Sequence, residues 1–484
     1  MHICDDFELE VNTFPSAGMT LLRNIPSELA NRIRADLTFR NPDLKPPRGA
    51  TPDQLAGLAT HIRLWAPHVD GTLVPRYYWH PELDQYGRFE LATGDVGDFQ
   101  HVLQFPPREN QLQITRQLDA WDGDVNINAP CAYGKSYTAL YYAAKTPGRI
   151  LIIVPNNNKM NEWRREAMRF LGLRADQVGT IQGSRRDWRD CPVVIAMSKT
   201  LAVQAFDLEI ATSFASTISD ETHLASAPII SQALGKIGGK RMALTATPGG
   251  GLRRDIIEFH FGKNWLMPQV PRMRTRYEFL PVPVLERFRR MDWELLRTLV
   301  GQDEFYSGIA AKVCNQLIAQ GRRVLVLGNQ IEPLMHVHKR TGKTGGFVVG
   351  AGSLDRIAAT FGEIRLHLEG RTEPRKLDRA GGYMDEVKKS MNPILGIGLT
   401  KTQPAGTGMD ISNIDGGVIM LPIGGRDTTT QIRGRFERVD STKQEPLVVV
   451  MFPDTEAGRR TAEAMATHLR GPEAEVVFHD SVVR

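Results

Sequence analysis

The sequence predicts an α/β chain of two tandem lobes, each a parallel sheet covered by helices, plus a small N-terminal α+β unit. Three observations predict it. From about residue 105, apolar runs of strand length alternate with longer helical stretches, and the alternation restarts after about residue 300. That is the pattern of sheets buried on both faces. A Gly134-Lys135-Ser136 turn joins one such strand run to a helical run. Finally, 484 residues exceed what one ordinary core accommodates.

Composition narrows the class. Charged residues make up 24% and hydrophobic ones 41%, as in soluble globular proteins. No apolar run approaches the roughly 18 residues of a membrane span, and Met1 to Asp6 lacks the basic-then-apolar pattern of a secretory signal. Membrane partners are therefore not expected. Cys4, Cys131, Cys191 and Cys314 lie far apart without a C-x-x-C pair, which speaks against a disulfide framework or zinc site and for a reducing, cytoplasmic setting. The net charge is +5, but residues 1–100 carry 14 acidic and 9 basic side chains, so the remainder has a surplus of ten positive charges. A basic body of this kind is compatible with nucleic acid.

Taken in order, residues 1–100 read as an accessory unit interrupted by the proline-rich stretch Pro42 to Pro52. Its Arg76-Tyr77-Tyr78-Trp79-His80 run suits either base stacking or a strand whose aromatics fill a small core. Residues 101–268 hold strand candidates at Val125 to Asn128, Ile150 to Val154, Val193 to Met197, Ser216 to Ser219 and Arg241 to Leu244. Residues 269–300 read as a connector. Residues 301–455 repeat the alternation, with strands at Val324 to Leu327, Phe347 to Val349, Ile394 to Leu399, Val418 to Leu421 and Leu447 to Met451. Helices are expected at Glu332 to Lys339 and Thr428 to Glu437, and residues 456–484 read as a helix and a tail.

The chemistry-bearing residues fall at strand ends. Ala129 to Ser136 fits a nucleotide phosphate loop, in which the backbone of Ala132, Tyr133 and Gly134 wraps phosphates, Lys135 supplies a point charge and Ser136 completes a Mg²⁺ shell. Ala129 replaces the usual first glycine, and Tyr133 is bulkier than expected. After the strand Ser216 to Ser219, Asp220 suits a Mg²⁺ ligand and Glu221 a base for the attacking water. Thr245-Ala246-Thr247-Pro248 places two hydroxyls after another strand. Far downstream, Gln431, Arg435 and Arg438 fall at i, i+4 and i+7 on the predicted helix, where arginines can neutralise charge on a γ-phosphate. A second Gly-Lys-Thr, at residues 342–344, has Val337 in place of the first small residue and fails as a phosphate loop. Arg371 to Lys389, in the long 352–392 stretch, suits a DNA-contacting insertion or a solvated helix.

In this order, Ala129 to Ser136, Asp220-Glu221-Thr222-His223, Thr245 to Pro248 and Gln431-Ile432-Arg433-Gly434-Arg435-Phe436-Glu437-Arg438 resemble the core of superfamily 2 helicases, over about residues 105–452. The resemblance implies two RecA-like, P-loop NTPase lobes with ATP and Mg²⁺ as cofactors. It implies that Gln111 of Arg108-Glu109-Asn110-Gln111 reads the adenine edge, and that Gly408, Asp410 and Gln431 join the nucleotide site. His223, Thr245 and Thr247 would couple the site to motion. Pro155, Asn156, Ser198 and Thr400 would touch the nucleic-acid backbone, although Asn156 suits a helix cap equally well. Size and the N-terminal unit resemble phage recombination helicases of the UvsW kind. The implied activity is an ATP-dependent DNA helicase or translocase, moving 3′ to 5′ as a monomer on branched or single-stranded DNA without sequence preference, with RNA–DNA hybrids as a further substrate. An RNA-dependent ATPase and a nucleotide-gated binding protein without turnover are the alternatives.

Overall fold

The computed structural model describes residues 17–40, 61–86, 88–90, 94–130, 133–204, 206–223, 228–300, 303–341, 346–348, 394–396 and 413–481. Two compact units divide the chain, Met1–Val270 and Pro271–Arg484.

In the first unit, an antiparallel sheet forms from β1 (Met19–Arg23), β4 (Ala66–His68), β5 (Gly71–Pro75) and β6 (Arg88–Glu90) in the order β4-β5-β1-β6, and β2 (Thr38–Arg40) pairs with β3 (His61–Arg63). These N-terminal elements form sheets of their own and pack against the larger fold. Leu22, Leu29, Ile33, Leu37, Val74 and Tyr78 share one apolar cluster with Ile256, on the helix Leu252–Phe261 of the larger fold. Arg241, 0% exposed, donates from its guanidinium to the carbonyls of Gly18, Leu234, Ile237 and His260. Both terminal nitrogens of one buried guanidinium thus donate to carbonyls, and those carbonyls come from both parts of the joint. The aromatic run splits between its two readings: Tyr78 is buried in this core, while Trp79 is 58% exposed.

The main sheet of this unit comprises β7 (Val125–Asn128), β8 (Ile150–Val154), β9 (Val178–Gln182), β10 (Arg185–Asp187), β11 (Val193–Met197), β12 (Ser216–Ser219), β13 (Lys240–Thr245) and β14 (Trp265–Leu266), in the order β10-β9-β11-β8-β12-β13-β7-β14. All pairs are parallel except β9 with β10. The interior runs Ile-Leu-Ile-Ile-Val and Val-Val-Ile-Ala are buried throughout, as a sheet covered on both faces requires. Register places Asn128 opposite Thr245, Ser219 opposite Ile153, and Met197 opposite Val154. One edge of the sheet therefore carries every strand end singled out in this half of the sequence.

The second unit has one parallel sheet among its described residues, made of β15 (Thr275–Val282), β16 (Val324–Leu327), β17 (Gly346–Val348), β18 (Ile394–Gly396), β19 (Gly416–Ile419), β20 (Leu447–Pro453) and β21 (Ala474–Phe478). Their order is β17-β18-β16-β19-β20-β15-β21. Two expectations are corrected here. The stretch 269–300 is not only a connector: β15 lies between β20 and β21, paired with β20 from Arg276↔Leu447 to Val282↔Pro453. Residues 456–484 are not a helix and a plain tail, since β21 follows the helix Glu456–Leu469 and forms the sheet edge. The first part of β15 alternates buried residues with charged ones. Tyr277 and Phe279 are buried, while Arg276 and Glu278 pair with each other at 2.9 Å.

Candidate nucleotide site

The phosphate-loop stretch leaves β7 and enters the helix Lys135–Ala143, with Ala129 still on the ladder through its N–H to the Thr245 carbonyl (3.0 Å). Gly134 turns the chain at φ +94°, and a Cβ there would come within 2.3 Å of Gln111 Nε2. Glycine is therefore required twice, for the left-handed backbone and for the close approach. Gln111 is only 2% exposed. Its Nε2 donates to the carbonyls of Gly134 (3.2 Å) and Tyr133 (3.4 Å), and its Oε1 accepts the Arg108 N–H (2.9 Å). It braces the loop from behind. Lys135 Nζ donates to the carbonyls of Ala129 (2.9 Å) and Pro130 (3.2 Å), so the ammonium lies along its own loop.

Tyr133 does not crowd the loop mouth. Its ring joins the core beneath the sheet, and its hydroxyl donates to the Asn110 carbonyl (2.9 Å). Burial pushes the phenol up to about 12. The bulky residue anchors the loop to the turn that carries Gln111.

At the end of β12 the carboxylates are held by several partners. Asp220, 6% exposed, accepts the Glu221 N–H at Oδ1 (2.9 Å) and the Trp163 indole N–H at Oδ2 (2.9 Å). Glu221 has φ +51°, a left-handed backbone that costs a non-glycine residue about 1–2 kcal/mol. Lys159 Nζ lies 3.1 Å from Glu162, 3.6 Å from Asp220 and 3.8 Å from Glu221. Burial alone would lower the pKa of this ammonium, but the three carboxylates outweigh it and raise it.

His223 links this edge to the next strand. Its Nδ1 lies 3.5 Å from Glu221 Oε2 and 3.3 Å from Thr245 Oγ1, and Thr245 Oγ1 accepts the Thr247 N–H (3.0 Å). Thr222, fully buried, donates to the Ser219 carbonyl (2.7 Å) and accepts the Leu244 N–H (3.1 Å). The residue after the acid pair is thus hydrogen-bonded to both β12 and β13.

Asn156 sits at the N-cap of the helix Asn157–Leu171 and accepts the Lys159 N–H (3.0 Å). Pro155 precedes it at the end of β8, and Ser198, which is buried, opens the helix Ser198–Val203. Ala132, Thr400, Gly408 and Asp410 lie outside the described residues, as does Arg371 to Lys389.

In the second unit, the helix Arg426–Phe436 carries Gln431 and the buried Arg435. It packs closely, since a Cβ on Gly417 of β19 would meet the Phe436 ring at 2.6 Å. Arg438 is not on this helix, and the expected i, i+4, i+7 face is corrected. The helix ends at Phe436, and its C-cap Glu437, 1% exposed, meets Arg433, Arg272 (3.1 Å) and the Tyr277 hydroxyl (3.4 Å). Burial raises the Glu437 pKa, against the pull of both arginines. Beyond it, the Arg438 backbone bridges to Arg272.

Sequence reading missed Lys159, Glu162 and Trp163 around the acid pair, and Glu437 with Arg272 and Arg433. The cap at Asn156 was the available signal for the first group, because it fixes which helical turn faces β12. The second group had none, since Arg272 and Glu437 are 165 positions apart.

The Asp220 carboxylate and Ser136 hydroxyl are hard oxygen donors, a chemistry that fits Mg²⁺, which takes one or two protein oxygens and completes its shell with phosphate and water.

Residues 104–250 match the family model described as "Type III restriction enzyme, res subunit". A protein named DNA 3'-5' helicase XPB, from Kineococcus radiotolerans, is 26% identical over 232 residues, covering 44% of this chain and 41% of that one. The chain thus spans about two fifths of that relative's length. Among solved structures, Saccharomyces cerevisiae Dbp5 bound to RNA and ADP BeF3 aligns over 78% of this chain and 90% of its own, at 12% identity and a TM-score of 0.51. T4 UvsW aligns over 95% and 99%, at 14% identity and a TM-score of 0.34. The two parallel-sheet units are RecA-like lobes, and in its ordered motifs and its res-subunit match the chain resembles the superfamily 2 helicases.

Proposed function

We propose that this chain is an ATP-dependent DNA helicase or translocase that couples hydrolysis to unwinding or branch migration of forks, junctions and R-loops, as UvsW-like enzymes do, in replication, recombination or repair. The observation that carries the reading is the run of contacts from Glu221 through His223 and Thr245 to the Thr247 N–H, within 3.5 Å at each step, beside the Lys135 loop. A phosphate loop alone binds nucleotide; one tied through its acid pair to a neighbouring strand can convert turnover into motion.

In this reading the backbone of Ala132, Tyr133 and Gly134 holds the phosphates, with Gln111 bracing the loop. Lys135 leaves its loop carbonyls for the β- and γ-phosphates. Ser136 and Asp220 would hold Mg²⁺, which would supply charge neutralisation at the phosphates. Glu221 accepts the proton of the attacking water. Arg435 and Arg438 neutralise charge developing on the γ-phosphate, with Gln431, Gly408 and Asp410 assisting. His223, Thr245 and Thr247 pass the change to β13. Pro155, Asn156, Ser198 and Thr400 contact the nucleic-acid backbone, so binding depends on salt rather than sequence. The curated relative's name supports DNA and 3′–5′ movement. The protein acts as a cytoplasmic monomer.

A panel of labelled forks, four-way junctions, R-loops and RNA duplexes with ATP tests this proposal. ATP-dependent strand separation of the DNA substrates is expected, with RNA–DNA hybrids as a further substrate. Separation of RNA duplexes alone would overturn the assignment.

A further inference from the structure

Lys159 is a cation beside the acid pair that has no part in the proposed reaction. Its ammonium stands 3.6 Å from Asp220 Oδ2 and 3.8 Å from Glu221 Oε1, on a side chain only 12% exposed, where solvent screens little. Its placement is built in. Asn156 fixes the Lys159 amide at the helix start, and Trp163, one turn on, pins the Asp220 carboxylate by its indole N–H. Glu162, also one turn on, offers the ammonium a third carboxylate at 3.1 Å.

Resting on the proposed metal role of Asp220, we infer that Lys159 is a positioning residue: a tethered counter-ion of Asp220 and Glu221 that competes there with the divalent cation of the nucleotide. Before the cation arrives, the ammonium keeps two adjacent carboxylates together at low repulsion. When a cation binds, like charges repel, and the flexible four-carbon stem lets the ammonium settle on Glu162 alone. Glu162 thereby sets how readily the pair is released. A purely structural lysine would tie the helix to β12 and have no bearing on cation affinity.

The test is Mn²⁺ titration, read by electron paramagnetic resonance, of the full chain saturated with a non-hydrolysable ATP analogue. Lys159→Met and Lys159→Gln should each tighten Mn²⁺ binding about threefold or more, since a nearby like charge is removed. Lys159→Arg, which keeps the charge, should stay within about twofold of the parent. Glu162→Gln should move the affinity the opposite way, weakening it about twofold or more, because the ammonium is left to Asp220 and Glu221. Asp220→Asn should weaken binding and reports on the metal reading itself. If Asp220→Asn weakens binding while the neutral Lys159 variants match the parent, Lys159 is structural and the inference is overturned. If Asp220→Asn leaves the affinity unchanged, the metal reading fails and the inference with it. Glu162→Gln, at a partly exposed side chain, keeps the test open should the neutral Lys159 variants not fold; parent-like affinity there would again overturn it.

Discussion

The two RecA-like sheets share a parallel architecture but place their charge differently. In the first unit, charged and hydroxyl side chains sit at the strand ends: Asp220 and Glu221 after β12, Thr245 ending β13, Lys135 beyond β7. In the second, β16 and β19 run out into Gly328, Asn329, Met420 and Leu421, and the tightest charge cluster lies at a helix end, where Glu437 meets Arg433, Arg272 and Tyr277. In the proposed reading, the strand ends of the first unit hold and release groups during a reaction. In the same reading, the helix end of the second supports the backbone that carries Arg435 and Arg438. On the proposed function, a similar parallel architecture would serve as a chemical edge in one unit and as a mount for arginines in the other.

Four measurements sharpen or break that contrast, from the largest expected effect to the smallest. Arg435→Lys should slow phosphate release about 10³-fold, the scale of an arginine acting on a γ-phosphate, while nucleotide affinity by fluorescence titration changes little. Equal loss of both would make Arg435 a binding group instead. Glu437→Ala should lower the denaturant stability of the second unit by about 3 kcal/mol, as expected when a buried ion cluster loses its only acid. A change within error would mean the cluster supports nothing.

The third concerns pH. Burial, with Arg241 beside it, pushes the His260 imidazole down to about 3, and its Nε2 lies 2.9 Å from Ser231 Oγ. The unfolded chain takes up this proton below about 6.5 while the folded one does not. Stability is therefore full above pH 6.5 and falls as pH drops towards 3, by about 2 kcal/mol at pH 5. His260→Gln should flatten that slope in thermal melts of the first unit; an unchanged slope would place the acid sensitivity elsewhere. Fourth, Tyr133→Phe should cost about 1 kcal/mol, one hydrogen bond to Asn110, with nucleotide affinity close to the parent. A large loss of affinity would return Tyr133 to the phosphate side of the loop.

Much of this was legible in the sequence, for reasons that differ by region. Ile150 to Val154 and Val193 to Met197 are continuous apolar runs, and their strands have the bounds expected. Strands β15 and β21 were not recognised because Arg276, Glu278 and Glu475 break the apolar pattern, although the period-2 burial of Thr275, Tyr277 and Phe279 was there to be read. At the site, motif spacing brought Glu221, His223 and Thr245 into view, and they lie within 3.5 Å of one another in sequence of contact. Lys159 and Trp163 stayed hidden because their meaning depends on which helix face meets β12, a tertiary fact. Arg438 was misplaced because helical spacing was carried past the C-cap Glu437, after which the chain bridges to Arg272, a long-range pairing that local sequence does not show.

The central claim is that the acid pair at the end of β12 runs an ATP-driven motor on DNA. Phosphate release from Mg-ATP by the full chain and by Glu221→Gln, each with and without forked DNA, tests it most directly. The account predicts DNA-stimulated release by the parent and a loss of about 10²-fold or more in the variant, with nucleotide binding retained. Equal rates in the two proteins, or a parent indifferent to DNA, would contradict it.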